Sequence, residues 1–395
     1  MRVLHVQYTS PGAYPPLVRG AELLAEAGVG VLMLGTRVAG LDALDSRPRG
    51  DVQIRLMPAS GTGWRLKAHY ARYAGWVARE GALWKPDWIY ASDLLSAPIA
   101  LALQRLTGAR VVYHEHDAPV VDQPGWTIRR CLAARHRLLQ LATIVVTPNA
   151  ERSAHLSALA GGRPVITAWN CPLRPGDEAP PSRHSHGLGV LYRGSINAER
   201  LPAAAVDAIA RAGDGVTLTI AGYETVGSRG HVESLHARAR ELGIESRVRS
   251  LGTVSEAEVT RVGTRSDVGL ALMPIGSRDE NMRHMTGASN KVFEYWSAGV
   301  VPLVSDLADW RATFVEPGYA LSCDPRNADS IASALQWAST HRAELRAIAM
   351  RGWERLRADW NYETQFAPVL SAMLGNGVGI SATGTVREAE VSCVS

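Results

Sequence analysis

The side chains able to do chemistry gather in four short stretches of this 395-residue chain. The densest is TGASNKVFEYWSAGVVPLVSD, residues 286 to 306. Lys291 is one of only three lysines in a chain that otherwise draws its positive charge from arginine, and Glu294 follows it by three residues inside an apolar run. Thr286, Gly287 and Ala288 read as a small-residue loop. Ser289 or Asn290 reads as the cap of a helix, since either side chain accepts an orphan backbone N–H, and Gly299 as its stop. A small-residue loop that opens a helix after a buried strand is an anion site, because amide donors and the positive end of the helix dipole face the ligand. Lys291, in the first turn, is badly placed for a cation on dipole grounds, and a bound anion would rationalise it. One turn on, the Glu294 carboxylate can accept two hydroxyl hydrogen bonds, as from a ribose diol. The plainer reading is a capped helix whose lysine and glutamate face solvent.

The second stretch is RVVYHEHDAP, residues 110 to 119. Glu115, His116 and Asp117 stand just past the end of an apolar strand, where they could hold a sugar hydroxyl or move a proton. A structural polar turn is the rival reading. Metal ligation is a weaker one, since no third ligand cluster lies at a useful spacing. The third stretch, LYRGSINAERLP (191 to 202), ends a strand in Gly194 and Ser195 and brings Arg200 to a helix start. Glycine there permits close backbone approach, and Arg200 can grip a diphosphate with two donors. The fourth, YTSPGAYPP (8 to 16), places Gly12 between the first strand and the first helix.

The elements that must position these groups alternate throughout. Strands are expected at 3–7, 29–34, 52–57, 88–91, 110–113, 143–147, 165–168, 190–192, 217–221, 248–251, 268–273 and 300–304. Helical patterns lie between most of them, including 94–106, 126–141, 234–242, 256–262 and 291–298. CPLRPGDEAPPSRHSHGLG interrupts the alternation with Pro, Gly, Ser and charge and no periodicity, and reads as a linker over 173–188. The organisation that follows is a first domain over 1–172, a second over 189–358, a final helix over 359–374 crossing back to the first, and a disordered tail over 375–395. Repeated strand–helix units mean parallel sheets covered by helices, an α/β class. Such sheets bind ligands beyond the carboxyl ends of their strands, which puts the active site in a cleft between the two domains.

Composition narrows the function. A formal net charge of +4 is too small for a general nucleic-acid binder, though a weak membrane-surface contact stays open. No apolar run is long enough for a transmembrane segment, and the N-terminus lacks a signal-peptide core. Cys131, Cys171, Cys323 and Cys393 are scattered, so neither a zinc site nor a disulfide framework is expected, and a cytoplasmic setting is the simplest. There is no phosphate-binding G-x-x-x-x-G-K-[ST] loop, no dinucleotide fingerprint and no nucleophile elbow. D-x-D is absent too, so a diphosphate here must be neutralised by Arg, Lys and a helix dipole rather than by a metal.

Taken in order, these stretches resemble the retaining glycosyltransferases of family 4, which have the GT-B fold of two facing Rossmann-like domains. The resemblance runs over roughly residues 1 to 372. SNKVFEYWSAGVVPLVSD is similar to the helix carrying the second Glu of that family's E-x7-E motif, and YHEHDAP to its N-domain His motif. TIVVTPNAERSAHL with ITAWNCP is similar to the end of the N-domain, ELGIESRVRSLGTVSEAEV to the unit that holds the nucleotide base, and WNYETQ to the segment that crosses back. The resemblance implies a nucleoside diphosphate sugar donor and no separate cofactor. It implies that Glu294 binds the donor ribose and that Ala288 and Ser289 offer backbone N–H groups to the diphosphate. It places His116 near the donor sugar and acceptor, Gly12 under the diphosphate or acceptor, and Val254 against the base. Asn290, Gly194, Ser195 and Gly222 count among the donor-binding positions, and Glu115 and Asp117 among the acceptor-side ones.

Two departures stand out. Thr286 occupies the place of the first Glu, which in the family contacts the donor sugar's hydroxyls. Ser195 and Arg200 stand where the family has Arg and Lys, so one cation is missing and Lys291 is its expected replacement. The expected mechanism has Arg200, Lys291 and the helix N-terminus stabilising the leaving diphosphate. The rivals are a nucleotide-sugar epimerase of the same fold and an inactive nucleotide-sugar-binding module. The acceptor, a small natural product, a sugar or a glycan, is not legible. Its loops would be 58–67 and 117–126, where Trp64 and Trp126 are expected to be buried rather than to form stacking platforms.

Overall fold

The structure is a computed structural model that describes residues 1–37, 48–59, 63–120, 122, 124–181, 187–254 and 256–375. The chain divides into two compact units, residues 1–173 with 362–395, and residues 174–361. The tail expected over 375–395, apart from Gly375, and parts of the linker and of the two acceptor loops, lie outside the described residues.

The first unit strings together β1 (Arg2–Val6), α1 (Pro15–Glu26), β2 (Gly30–Thr36), β3 (Val52–Met57), α2 (Trp64–Trp84), β4 (Trp88–Ser92), α3 (Asp93–Thr107), β5 (Arg110–His114), α4 (Trp126–Leu141), β6 (Ile144–Thr147), α5 (Ala150–Leu159) and β7 (Ile166–Thr167). The strands form one seven-stranded parallel sheet in the order β3-β2-β1-β4-β5-β6-β7. Inner strands such as β1 and β4 are apolar on both faces because helices cover both sides, while the edge strand β3, VQIRLM, is only half-buried. Two prolines open α1, where a missing N–H costs nothing, and the Asn149 side chain caps α5 by accepting from the amides of Glu151 and Arg152.

The second unit runs β8 (Leu188–Ile196), α6 (Ala203–Arg211), β9 (Val216–Glu224), α7 (His231–Glu241), β10 (Val248–Gly252), α8 (Glu256–Gly263), β11 (Val268–Ala271), α9 (Glu280–Arg283), α10 (Asn290–Ser297), β12 (Val301–Ser305), α11 (Ala308–Trp310), β13 (Leu321–Cys323), α12 (Ala328–Thr340) and α13 (Arg342–Ala358). Its six-stranded sheet, also parallel, has the order β10-β9-β8-β11-β12-β13. The chain then rejoins the first unit as α14 (Tyr362–Leu374), whose Phe366 is buried against α1. A Cβ on Gly20 of α1 would stand 3.3 Å from the Phe366 ring, so glycine lets the two helices meet closely.

In both sheets the strand order reverses beside the first strand, between β1 and β4 and between β8 and β11. These switch points open a crevice at the carboxyl ends of the strands. No described helix is long and apolar enough to cross a membrane.

Candidate functional site

In the second unit the cluster forms at the switch point. Arg193, Gly194 and Ser195 lie at the carboxyl end of β8, and α10 brings Lys291 and Glu294 against them. Gly194 takes a φ of 104°, and a Cβ there would approach Lys291 Cε to 3.0 Å. Gly222, on β9 beside it, lies under the Gly194 carbonyl, from which an added Cβ would stand 1.9 Å. Glycine at both positions is thus a demand of strand packing, which is the structural reason for Gly222. Lys291 is buried, with Nζ over the Tyr192 ring at 4.2 Å from its centroid and donating to Tyr192 Oη at 2.9 Å. Tyr192 Oη in turn donates to the Ser195 carbonyl at 2.5 Å.

Three cations converge here. Arg193 forms an ion pair with the buried Glu294 carboxylate, whose Oε1 also accepts from Asn290 Nδ2 at 3.2 Å. Arg200 donates to Ser195 Oγ at 2.6 Å, and its Nε is buried with no protein partner. Burial, followed by the charges of Arg200 and Arg193, holds the Lys291 ammonium well below its usual pKa, against a smaller opposing pull from Glu294. The cluster is electropositive. Ser195, where a cation was expected to be missing, accepts from one of these three.

The start of α10 differs from expectation in detail. Ser289 occupies the cap position, but no side chain caps the helix. The amides of Ala288 and Ser289 both donate to the Met285 carbonyl at 3.0 Å, so in this conformation the expected diphosphate donors are engaged in a tight turn. Thr286 donates through Oγ1 to Asp309 Oδ2 at 2.7 Å and through its amide at 3.2 Å. A carboxylate, supplied by α11, therefore stands beside the position where the family's first Glu was expected. Sequence reasoning missed Asp309 because it lies outside the motif's spacing, and missed Arg193 because it reads as a strand residue. Val254 follows β10 and is half-buried.

In the first unit Gly12 lies in a short turn, Pro11–Ala13, between β1 and α1. His116 follows β5 and is buried, with Arg152 donating to its carbonyl at 2.9 Å. Its ring stacks on His114 at 3.8 Å, lies 5.6 Å from the Tyr14 ring, and leaves both nitrogens without a protein partner. Burial, and then the Arg152 charge, lower its pKa to about 3, so it is a neutral imidazole that can donate or accept a hydrogen bond. Glu115 is buried in a two-pronged ion pair with Arg135, at 2.5 and 2.7 Å, and accepts from Tyr113 Oη at 2.9 Å. That arrangement ties β5 to α4. Asp117 is exposed. The two tryptophans are corrections, at 75% and 68% exposed for Trp64 and Trp126. Each opens a helix directly after a glycine, and arginines (Arg65 and Arg130) cover their rings. Among the described residues no group of three His, Cys, Asp or Glu side chains is disposed to hold a metal ion.

A family model described as "Glycosyl transferase 4-like domain" matches residues 17–168, and one described as "Glycosyl transferase-like" matches residues 200–371. The chain belongs to the family 4-type glycosyltransferases. It is 24% identical over 404 aligned positions to glycogen synthase of Mycobacterium tuberculosis, with 92% of each chain covered. Among solved structures, this glycosyltransferase is similar to HepE of Anabaena, solved in complex with UDP and glucose, at a TM-score of 0.72, 15% identity and coverage of 95% of this chain and all of that one. Sucrose-phosphate synthase from Thermosynechococcus elongatus gives a TM-score of 0.70 at 15% identity, with 95% of this chain covered and 100% of the other. The shared architecture is the GT-B fold.

Proposed function

We propose that this glycosyltransferase moves a sugar from a nucleoside diphosphate sugar to an acceptor hydroxyl, with retention of configuration and without a metal ion. The observation that carries the reading is the buried meeting of Lys291 with Arg193, Arg200 and Glu294 at the end of β8. A diphosphate is the ligand whose charge such a cluster complements, and the Glu294 carboxylate, aligned by Arg193 and Asn290, is proposed to accept the ribose hydroxyls. In the transfer, the bond from the anomeric carbon to the β-phosphate oxygen breaks and a bond to the acceptor oxygen forms. The acceptor's proton passes to the departing phosphate. Negative charge grows on that phosphate in the transition state, where Arg200 and Lys291 stabilise it more than in the ground state. Neutral His116 is proposed to hold a sugar hydroxyl through its open ring nitrogens. The Thr286–Asp309 pair is proposed to contact the donor sugar in place of the family's first Glu.

The test is a thermal-shift screen with UDP, GDP, dTDP and ADP, followed by the corresponding sugar nucleotides. One nucleotide class is expected to raise the unfolding temperature, and Glu294→Ala to abolish the rise. If none does so at millimolar concentration, the donor reading fails.

A further inference from the structure

Two non-glycine residues among those described adopt a positive φ, Lys85 at 50° and Asp93 at 61°. Lys85 ends α2, where the left-handed conformation is an ordinary helix terminator. Asp93 joins β4 directly to α3, and there the conformation is strain that its surroundings must hold in place. The carboxylate shows what holds it. Oδ1 accepts the backbone amides of His116 at 2.8 Å and Asp117 at 3.3 Å, and Oδ2 accepts the Gln7 side-chain amide at 3.3 Å. One side chain thus ties the ends of β1, β4 and β5 together at the point where the strand order reverses. His116 is gripped at its amide by Asp93, at its carbonyl by Arg152 and on its ring face by His114, while both ring nitrogens stay open.

We infer that Asp93 is a positioning residue for the transfer reaction, whose carboxylate holds the His116–Asp117 turn so that the His116 ring meets a sugar hydroxyl. The inference rests on the proposed function for the identity of that hydroxyl, but the grip on the turn does not depend on it. The grip also varies with pH. Burial and the neighbouring Asp117 raise the Asp93 carboxyl to about 7, against opposing hydrogen bonds from Gln7, His116 and Asp117. The other titratable and charged groups around the turn include His5, His114, His116, Tyr73, Tyr113, Arg152 and the Glu115–Arg135 ion pair. His5 and His116 titrate near 3, His114 lies well below its usual value, and both tyrosines are raised. The guanidinium of Arg152 stays charged. Ionised, Asp93 is the stronger acceptor of the two amides, so turnover rises with pH through about 7.

The test compares the full wild-type chain with Asp93→Gly and Asp93→Asn. Glycine accepts the positive φ and so preserves the fold, but it removes the acceptor. Asparagine tolerates that φ and keeps a carbonyl oxygen for the two amides, but it cannot ionise. In hydrogen exchange of the peptide 113–119, Asp93→Gly is expected to exchange about tenfold faster and Asp93→Asn as wild type. With UDP-glucose as the donor probed, Asp93→Gly is expected to lower kcat roughly ten- to a hundredfold at unchanged donor KM. Asp93→Asn is expected to recover part of that kcat and to lose the rise in kcat between about pH 6 and 8. Unchanged exchange in Asp93→Gly, a loss confined to donor KM, or a wild-type pH profile in Asp93→Asn would each overturn the inference. If UDP-glucose is not turned over, the exchange measurement decides for or against Asp93 alone, and the nucleotide screen decides the donor reading separately.

Discussion

A lysine buried beside two arginines needs a reason, and for Lys291 the arrangement supplies only Tyr192 and a share of Glu294. Its depressed pKa means that the folded protein releases the ammonium proton more readily than the unfolded chain. Between the folded value and the ordinary value of 10.5, the unfolded state binds more protons, so this group's cost to stability shrinks as pH rises towards 10.5. Lys291→Met removes that cost. The variant is expected to unfold at a higher temperature than wild type at pH 7, with the difference closing towards about pH 10, in parallel denaturation series. It is also expected to lose the nucleotide-induced shift. The types and spacing of Lys291 and Glu294 marked them in the sequence. Their partner Arg193 was not legible, because a strand's last residues carry no sign of which side chain turns towards a neighbouring helix.

At the scale of elements, the β8–β9 junction decides whether the cluster exists at all. The Gly222 position leaves 1.9 Å between an added Cβ and the Gly194 oxygen, so a side chain there forces the backbone to shift. Gly222→Ala is expected to push the β8 terminus, and with it Arg193 and Ser195, away from α10. It should cost about 1–3 kcal/mol of stability and abolish nucleotide binding together, read by thermal denaturation with and without ligand. A stable variant that still binds would show that the junction has slack. Most strands were legible as apolar runs because parallel strands are buried on both faces. β13, LSC, was not, because three residues carry no period. The start of α2 was lost for a different reason: its first turn is exposed, so Trp64 has no apolar stripe to announce a helix. The cap of α10 was misread since Ser289 is the right residue type in the right place with an extended backbone, yet its side chain makes no cap hydrogen bond.

The chain folds into two compact units and visits the first of them twice. The two-domain reading followed from the repeated strand–helix units, and the linker from its composition. The return of the last helix was expected only from resemblance, because nothing in an amphipathic stretch says which core it covers. The structure assigns Tyr362, Phe366, Val369 and Met373 to the core that holds Leu17, Ala21, Tyr90 and Ile166. Phe366 is fully buried and packs on Tyr362 at 5.4 Å and Tyr90 at 6.4 Å between ring centroids. Phe366→Ala therefore leaves a cavity in the first unit, at a cost of about 3–5 kcal/mol. For a unit of this size that lowers its midpoint by roughly 10 °C. Differential scanning calorimetry with a bound nucleotide separates the two units, since the ligand raises only the transition of the unit that binds it. The variant is expected to lower the transition that does not respond to nucleotide and to leave the responsive one in place. A drop confined to the responsive transition would mean that α14 stabilises the second unit, and that the first completes its core without it.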